Sequence, residues 1–130
     1  MAKNLLEHPV HLGRGATALS EPAFTGMEWY GAYSARHEAD GKEGRLISMF
    51  TFDASWDSWE MHPSGSEVVL CTAGEMTLVQ ELDGKQVRTP LKPGEYAING
   101  PGVWHTADVE RSATAVFITA GLGTQNRDRE

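Results

Sequence analysis

The residues most able to do chemistry lie in the stretch 59–74, which reads WEMHPSGSEVVLCTAG. Glu60, His62 and Glu67 are three potential metal ligands within eight residues of sequence. Imidazoles and carboxylates are side chains that bind divalent transition metals. A fourth candidate, His105, lies far down the chain, directly after the sequence Gly-Pro-Gly-Val-Trp. If these four side chains converge, they predict a metal centre.

Convergence depends on the local strands. If residues 59–62 form a strand, Glu60 and His62 point to the same face, because strand side chains alternate. The cluster Pro-Ser-Gly-Ser at 63–66 predicts a turn, and Glu67 then opens the next strand. Trp59 and Met61 would face outwards, and exposed large apolar groups usually mark an interface. We therefore expect a homodimer that uses this face and the N-terminal arm.

The rest of the chain predicts short strands. Residues 45–52 and 75–82 have strand patterns, and Asp83-Gly84 predicts a tight hairpin into 85–89. Further strands are predicted at 27–33, 95–98, 105–109 and 114–120, with an exposed loop over 36–44. No segment has a convincing helical period, so the pattern predicts an all-β sandwich or barrel.

The predicted domain organisation has three parts. Residues 1–25 form an extended arm, with one short strand near 10–12, that packs on the barrel or on a dimer partner. Residues 26–120 form the barrel, and residues 121–130 form a polar C-terminal tail on the surface. A chain of 130 residues is long enough for one such domain to fold without staples.

Composition narrows the class of protein. With 40% apolar residues the chain is not disordered, and no apolar run approaches the roughly 18 residues of a membrane span. The N-terminus lacks the features of a secretory signal, and the single Cys71 is compatible with a reducing compartment, so we expect a cytoplasmic protein. A net charge of -7 with scattered basic residues disfavours nucleic acid and anionic membranes. A small molecule is the expected partner.

Two blocks of the sequence resemble the two motifs of the cupin family. The first cupin motif usually runs His-x-His, three or four residues, Glu, six residues, Gly. Here the first block has Glu60 and His62, then four residues, Glu67, six residues and Gly74.

The second cupin motif usually runs Gly, five residues, Pro-x-Gly, two residues, His, three residues, Asn. Here the second block has Gly94, five residues, Gly100-Pro101-Gly102, two residues and His105. Three positions depart from the family. Glu60 replaces the first His, Gly100 replaces the Pro, and Val109 stands where the Asn is expected.

The resemblance implies a single small cupin domain of the cupin 2 conserved-barrel type, with an all-β double-stranded β-helix (jelly-roll β-barrel). It also implies a metal held by His62, Glu67 and His105, with Glu60 at the position of the remaining ligand, and a homodimer. Two His and one carboxylate leave open coordination positions, an arrangement that favours non-haem Fe(II). Mn, Ni and Zn stay open as alternatives.

Glu60 has two possible roles. As a fourth ligand, which we favour, it would make the site formally neutral and weaken the metal as a Lewis acid. As an unbound carboxylate beside the metal, it could act as a general base or acid.

The expected function is that of a metal-dependent enzyme, an oxygenase, isomerase or lyase, acting on a small carboxylate or enolisable substrate in the barrel. The alternative is a non-catalytic small-ligand or sugar-binding or sensing cupin with a structural metal. A fold by itself does not choose between these.

Other residues have weaker signals. His8, His11 and His37 are expected at the surface, and Cys71 as a small buried hydrophobe. Tyr96 and Ile98 are candidates for the wall of the pocket.

Overall fold

Eleven strands form two antiparallel sheets in residues 1–129, the part of the chain that this computed structural model describes. The strands are β1 Val10–Gly13, β2 Thr17–Ser20, β3 Arg45–Phe52, β4 Ser58–Met61, β5 Glu67–Gly74, β6 Met76–Leu82, β7 Lys85–Leu91, β8 Tyr96–Asn99, β9 His105–Asp108, β10 Ala113–Thr119 and β11 Gln125–Asp128. One α-helix, α1, spans Glu28–Arg36, and 3-10 turns span Arg14–Ala16 and Glu38–Glu43. None of the helices in these residues has the length and apolarity needed to cross a membrane.

The two sheets enclose the apolar core. One sheet has the order β2-β1-β3-β10-β5-β8 and the other has the order β11-β4-β9-β6-β7. Inward side chains of both sheets pack together, as alternation along the strands requires. The core consists of Val69, Cys71, Met76, Leu78, Leu91, Ala107, Val109, Ala113, Ala115 and Phe117. The predicted all-β architecture and the burial of Cys71 are confirmed.

The predicted hairpin is present between β6 and β7. Leu82 pairs with Lys85, and the two residues between them, Asp83 and Gly84, have φ angles of 52° and 77°. Two consecutive positive φ angles match the twist of the flanking strands, which is why Asp-Gly is favoured in two-residue hairpin loops.

Gly74 ends β5 at a position that only glycine fits. Its φ is +68°, and a Cβ added there would lie 2.0 Å from the carbonyl oxygen of Ser112. We expect Gly74→Ala to lower the free energy of unfolding by more than about 2 kcal/mol, through backbone strain and the clash. The matched control is Gly84→Ala, where φ is +77° and no atom lies within 4 Å of the added Cβ. Strain alone should cost about 1 kcal/mol there, and equal losses in urea unfolding would contradict the role of the clash.

The strand predicted at residues 27–33 is wrong, because this segment forms α1. Its aromatic residues suggested a strand, but Trp29 and Tyr33 lie one helical turn apart and stack with centroids 5.3 Å apart. Trp29 is buried, and its Nε1 donates to the carbonyl of Pro22 at 3.0 Å. Packing of this aromatic face outweighs the local preference for strand. The segment 36–44, predicted as an exposed loop, contains the 3-10 turn Glu38–Glu43. None of its residues is fully buried, in agreement with the predicted exposure.

The N-terminal segment contributes to the first sheet. Strand β1 pairs with both β2 and β3, so the strand predicted near residues 10–12 is present and lies against the barrel. The contact of this segment with a dimer partner stays a prediction.

The predicted polar tail, 121–130, contains strand β11, which pairs with β4, while residue 130 lies outside the described part of the chain. Apolar and polar side chains do not alternate along β11, because all four residues are exposed at the edge of the sheet. Backbone hydrogen bonds to β4 hold the strand in place. Arg127 on β11 lies 5.3 Å from the ring of Trp59 and 4.5 Å from the ring of Trp104. Trp59 is only 5% exposed, so the prediction that it is an exposed apolar group at an interface is wrong.

Candidate metal centre

The four predicted ligands meet at one end of the barrel. Glu60 lies on β4 directly opposite His105, the first residue of β9, while Glu67 opens β5 and His62 follows β4. The Nε2 atom of His105 lies 3.2 Å from Glu67 Oε1, and that of His62 lies 3.4 Å from Glu67 Oε2. Glu60 Oε1 lies 3.7 Å from His62 Nε2 and 4.0 Å from His105 Nε2.

Two faces of the cluster differ in exposure. The ligand atoms of Glu60, His62 and His105 all lie within 4.8 Å of one another, whereas Glu67 meets the two imidazoles with different oxygens. Glu67, His62 and His105 are buried, but the side chain of Glu60 is 36% exposed. Glu60 therefore lies on the side of the cluster that is open to solvent.

Hydrogen bonds fix the protons of both imidazoles. His105 Nδ1 donates to the carbonyl of Val103 at 3.1 Å. Thr124 Oγ1 donates its proton to the carbonyl of Gly121 at 2.8 Å, so it must accept from His62 Nδ1 at 2.7 Å. In each neutral ring the Nε2 atom then carries a lone pair that faces the carboxylates. Both Nε2 atoms are buried and have no hydrogen-bond partner among residues 1–129.

Glu67 is held as a carboxylate. Asn99 Nδ2 donates to Oε1 at 3.0 Å, and Thr119 Oγ1 donates to Oε2 at 2.6 Å. Burial acts to raise the pKa of Glu67, but the adjacent His105 and His62 outweigh it and lower this pKa well below its usual range. Gln80 Nε2 in turn donates to Asn99 Oδ1 at 2.7 Å, which orients the Asn99 amide.

The charge balance of the cluster calls for a cation. Burial acts to lower the pKa of His105, yet the carboxylate of Glu67 outweighs burial and raises it. Burial and the charge of Glu67 raise the pKa of Glu60, although His62 and His105 oppose this. Two imidazole nitrogens and two carboxylates face one another here, and a divalent ion would bind this donor set in place of the protons that the raised pKa values favour. The residues present therefore fit a divalent metal, and their role as ligands stays a prediction.

The side chains that support the ligands were not predicted from the sequence. They are Gln80, Asn99, Thr119 and Thr124. Asn99 directly precedes the turn-forming residues Gly100-Pro101-Gly102, and the sequence around the two threonines has no motif signal. Their positions depend on which strands become neighbours.

Thr124 offers a test of this support. We expect Thr124→Val to weaken binding of Zn(II) by about 10–100-fold, because His62 would lose the acceptor that fixes its tautomer. The matched control is Thr114→Val, whose hydroxyl bonds to Thr51 at 2.8 Å, outside the cluster. Competition with a chromogenic chelator measures both affinities, and equal affinities would contradict the role of Thr124.

Aromatic side chains line the barrel beside the cluster. The ring centroid of Trp56 lies 6.3 Å from that of His105, 5.5 Å from that of Phe52 and 6.0 Å from that of Phe117. Burial and the charges of Glu60 and Glu67 raise the pKa of Tyr30 on α1 to about 12. The cluster thus adjoins an apolar interior.

Other predicted positions differ from the structure. His11 is 1% exposed, so its expected surface location is wrong. It bonds to Tyr33 and Asp40 at 2.6 Å each, and it stacks on His37. Both ring nitrogens of His11 are used, and the local sequence did not indicate this because Tyr33 and Asp40 lie 22 and 29 positions away.

The predicted wall residues of the pocket also lie elsewhere. Tyr96 and Ile98 on β8 are 63% and 54% exposed, so their predicted place in the barrel wall is wrong. Strand alternation turns the other face of β8 inwards, and it is Asn99 that reaches the cluster.

Comparison with known structures identifies the fold. An oxalate oxidase in complex with glycolate matches with a TM-score of 0.57 and 16% identity, over 71% of this chain and 50% of that chain. Peruvianin-I, a cysteine peptidase from Thevetia peruviana latex, gives a TM-score of 0.55 and 23% identity over 66% of this chain and 57% of that one. A protein with a double-stranded β-helix domain from Klebsiella pneumoniae subsp. pneumoniae MGH 78578 gives a TM-score of 0.53 and 21% identity. The match covers 66% of this chain and 75% of that chain.

These matches carry information on the fold alone. No family model matches the sequence, and no curated protein matches it significantly. The chain spans 57% of the length of peruvianin-I and 50% of that of the oxalate oxidase. The fold is the cupin-type double-stranded β-helix, which confirms the fold that the two sequence blocks implied.

Proposed function

We propose that this chain is a metal-dependent enzyme that acts on a small oxygenated substrate, a carboxylate or an enolisable compound, bound inside the barrel. One observation carries the proposal. The Nε2 atoms of His62 and His105 are buried without a hydrogen-bond partner among the described residues, and both face Glu67 beside the partly exposed Glu60. Buried acceptors that face each other are costly unless a cation lies between them.

His62, His105, Glu67 and Glu60 would hold the metal, which is Fe(II), Mn, Ni or Zn. When bound, such an ion supplies Lewis acidity and, in the case of Fe(II), redox chemistry. The fold does not choose among oxygenase, isomerase and lyase reactions.

Two carboxylates in one site have different environments here. Glu67 is fixed as an anion by Asn99, Thr119 and the two imidazoles. Glu60 is partly exposed, has a raised pKa, and can exchange a proton with solvent or with a bound substrate at Oε1. Carboxylates whose environments move their pKa values apart suit separate roles. Glu67 is suited to hold the metal as a permanent anion. Glu60 is suited either to complete the coordination of the metal or to transfer a proton.

The apolar interior would exclude water from the reacting end of a substrate. Phe52, Trp56 and Phe117 form a continuous aromatic surface next to His105. A site of low polarity strengthens each electrostatic contact between the substrate and the charged cluster.

The test of the proposal is metal analysis followed by turnover. Purified protein should contain close to one equivalent of a transition metal per chain or take it up from Fe(II), Mn(II), Ni(II) or Zn(II). The loaded protein should then convert at least one member of a panel of small oxygenated acids. Protein that neither contains nor takes up a metal would overturn the proposal.

The alternative, a non-catalytic ligand-binding cupin with a structural metal, has one observation in its favour. Glu60 and Glu67 flank the two imidazoles, so four protein donors could close around an ion. Structural sites are closed, whereas catalytic sites keep a position open. Electron–nuclear double resonance on Mn(II)-loaded protein in ¹⁷O-water counts exchangeable waters. Two bound waters favour the enzyme, and none favours the binding protein.

A further inference from the structure

The indole N–H of Trp56 is buried and has no partner. Among the described residues, three buried side-chain nitrogen or oxygen atoms lack a hydrogen bond, and they are His62 Nε2, His105 Nε2 and Trp56 Nε1. The rings of Trp56 and His105 lie close together, with an interplanar angle of 63°. An unpaired buried donor costs free energy comparable to a lost hydrogen bond. All three unpaired atoms therefore belong to one neighbourhood inside the barrel.

The unpaired atoms have opposite polarity. The two imidazole nitrogens are acceptors, because their Nδ1 atoms carry the protons. The indole nitrogen is a donor only. A metal ion would satisfy the imidazoles but cannot accept a hydrogen bond from Trp56. The indole therefore needs a separate acceptor, such as an oxygen atom, close to the metal.

The surroundings of Trp56 limit what that acceptor belongs to. Phe52 and Phe117 pack against the indole, so the surroundings of the donor are apolar. The nearby Arg129 bonds to the backbone carbonyls of Trp56 and Ala107 and to the Asp108 carboxylate, so its guanidinium is already engaged. One neutral donor beside a metal fits a single anionic oxygen group better than a dianion, which would need further cationic partners.

From this arrangement we infer that Trp56 Nε1 donates a hydrogen bond to the substrate, and that the substrate is a monocarboxylate with a flat apolar body. The carboxylate would lie between the metal ligands and the indole, and the apolar body would pack on Phe52 and Phe117. Trp56 then sets both the position and the charge of what binds. This inference rests on the proposed function, because it uses the same metal centre.

The test follows the indole N–H directly by NMR. ¹⁵N-labelled protein loaded with Zn(II) is titrated with benzoate, and with acetate and oxalate for comparison. The chain has four tryptophans, and single Trp→Phe variants assign their indole signals. Benzoate should shift the Trp56 N–H signal downfield to saturation and bind more tightly than acetate or oxalate. The signals of Trp29, Trp59 and Trp104 should stay in place.

A pair of variants adds a readout of affinity. Trp56→Phe keeps an aromatic ring but removes the donor, and it should weaken benzoate binding about tenfold or more. Its Zn(II) affinity should stay within about twofold of wild type, because no ligand of the metal is changed. Trp104→Phe is the matched control, since that ring lies under Arg127, and it should leave both affinities unchanged. The wild-type titration decides the question even if Trp56→Phe does not fold.

Each outcome has a distinct meaning. Zn(II) uptake with benzoate bound and the Trp56 signal unmoved overturns this inference alone. So does Zn(II) uptake with no binding of benzoate at millimolar concentrations, or tighter binding of oxalate. Absence of metal uptake overturns the proposed function and this inference with it.

Discussion

Replacing His105 with alanine is expected to abolish stoichiometric metal binding. His105 is fully buried, and its Nε2 atom faces both Glu67 and Glu60. Loss of a side chain that merely supports a ligand weakens metal binding by about 10–100-fold, so loss of the ligand itself should exceed about 1,000-fold. Isothermal titration with Zn(II) measures the difference.

Thermal unfolding provides a second readout for the same variant. Free Zn(II) at 100 times its Kd should raise the free energy of unfolding of the wild type by about 2.7 kcal/mol. His105→Ala should show no such rise at that Zn(II) concentration. His8→Ala is the control, because His8 is half-buried and its Nδ1 atom bonds to the backbone carbonyl of Glu21, outside the cluster. Undiminished stabilisation of His105→Ala by Zn(II) would remove His105 from the metal site.

Glu60→Gln is expected to weaken metal binding by about 100-fold, because the site loses one of its two anionic donors. The same change should stabilise the protein in the absence of metal. Since the folded-state pKa of Glu60 is raised, its ionised form opposes folding at neutral pH, and a neutral glutamine removes that cost. The gain should disappear as the pH falls below the ordinary glutamate pKa of about 4.3, where Glu60 is protonated in both states.

The two roles of Glu60 are separated by metal content. Loss of turnover with unchanged metal affinity would exclude ligation and leave acid–base catalysis. The control is Glu75→Gln, which neutralises an exposed carboxylate and should change neither the metal affinity nor the pH dependence of stability. A Tm of metal-free Glu60→Gln that does not exceed the wild-type value at pH 7 would contradict the electrostatic argument.

The positions of Glu60, His62 and Glu67 could be predicted because they depend on local sequence patterns. Alternation placed Glu60 and His62 on one face, and a turn placed Glu67 at the start of the next strand. His105 required the second block, since nothing near it in sequence shows that β9 pairs with β4. The structure brings the four side chains together, and their function as ligands stays a prediction.

The helix and the C-terminal strand could not be predicted in the same way. The segment that forms α1 is rich in aromatic residues, which favour strands locally, and the helix is favoured by contacts such as the stack of Trp29 on Tyr33 and the packing of Phe24 on Trp29. Strand β11 has four exposed residues and no apolar alternation. Its pairing with β4 is a tertiary event, as is the covering of Trp59 by Arg127.

The bond between Thr124 and His62 also has a consequence for biosynthesis. These residues are 62 positions apart, so the acceptor that fixes the His62 tautomer is synthesised well after His62 and Glu67, and it also follows His105. A nascent chain that has not yet released residue 124 from the ribosome would hold a weaker site. We therefore expect the ion to enter after translation of the barrel and not to nucleate its folding.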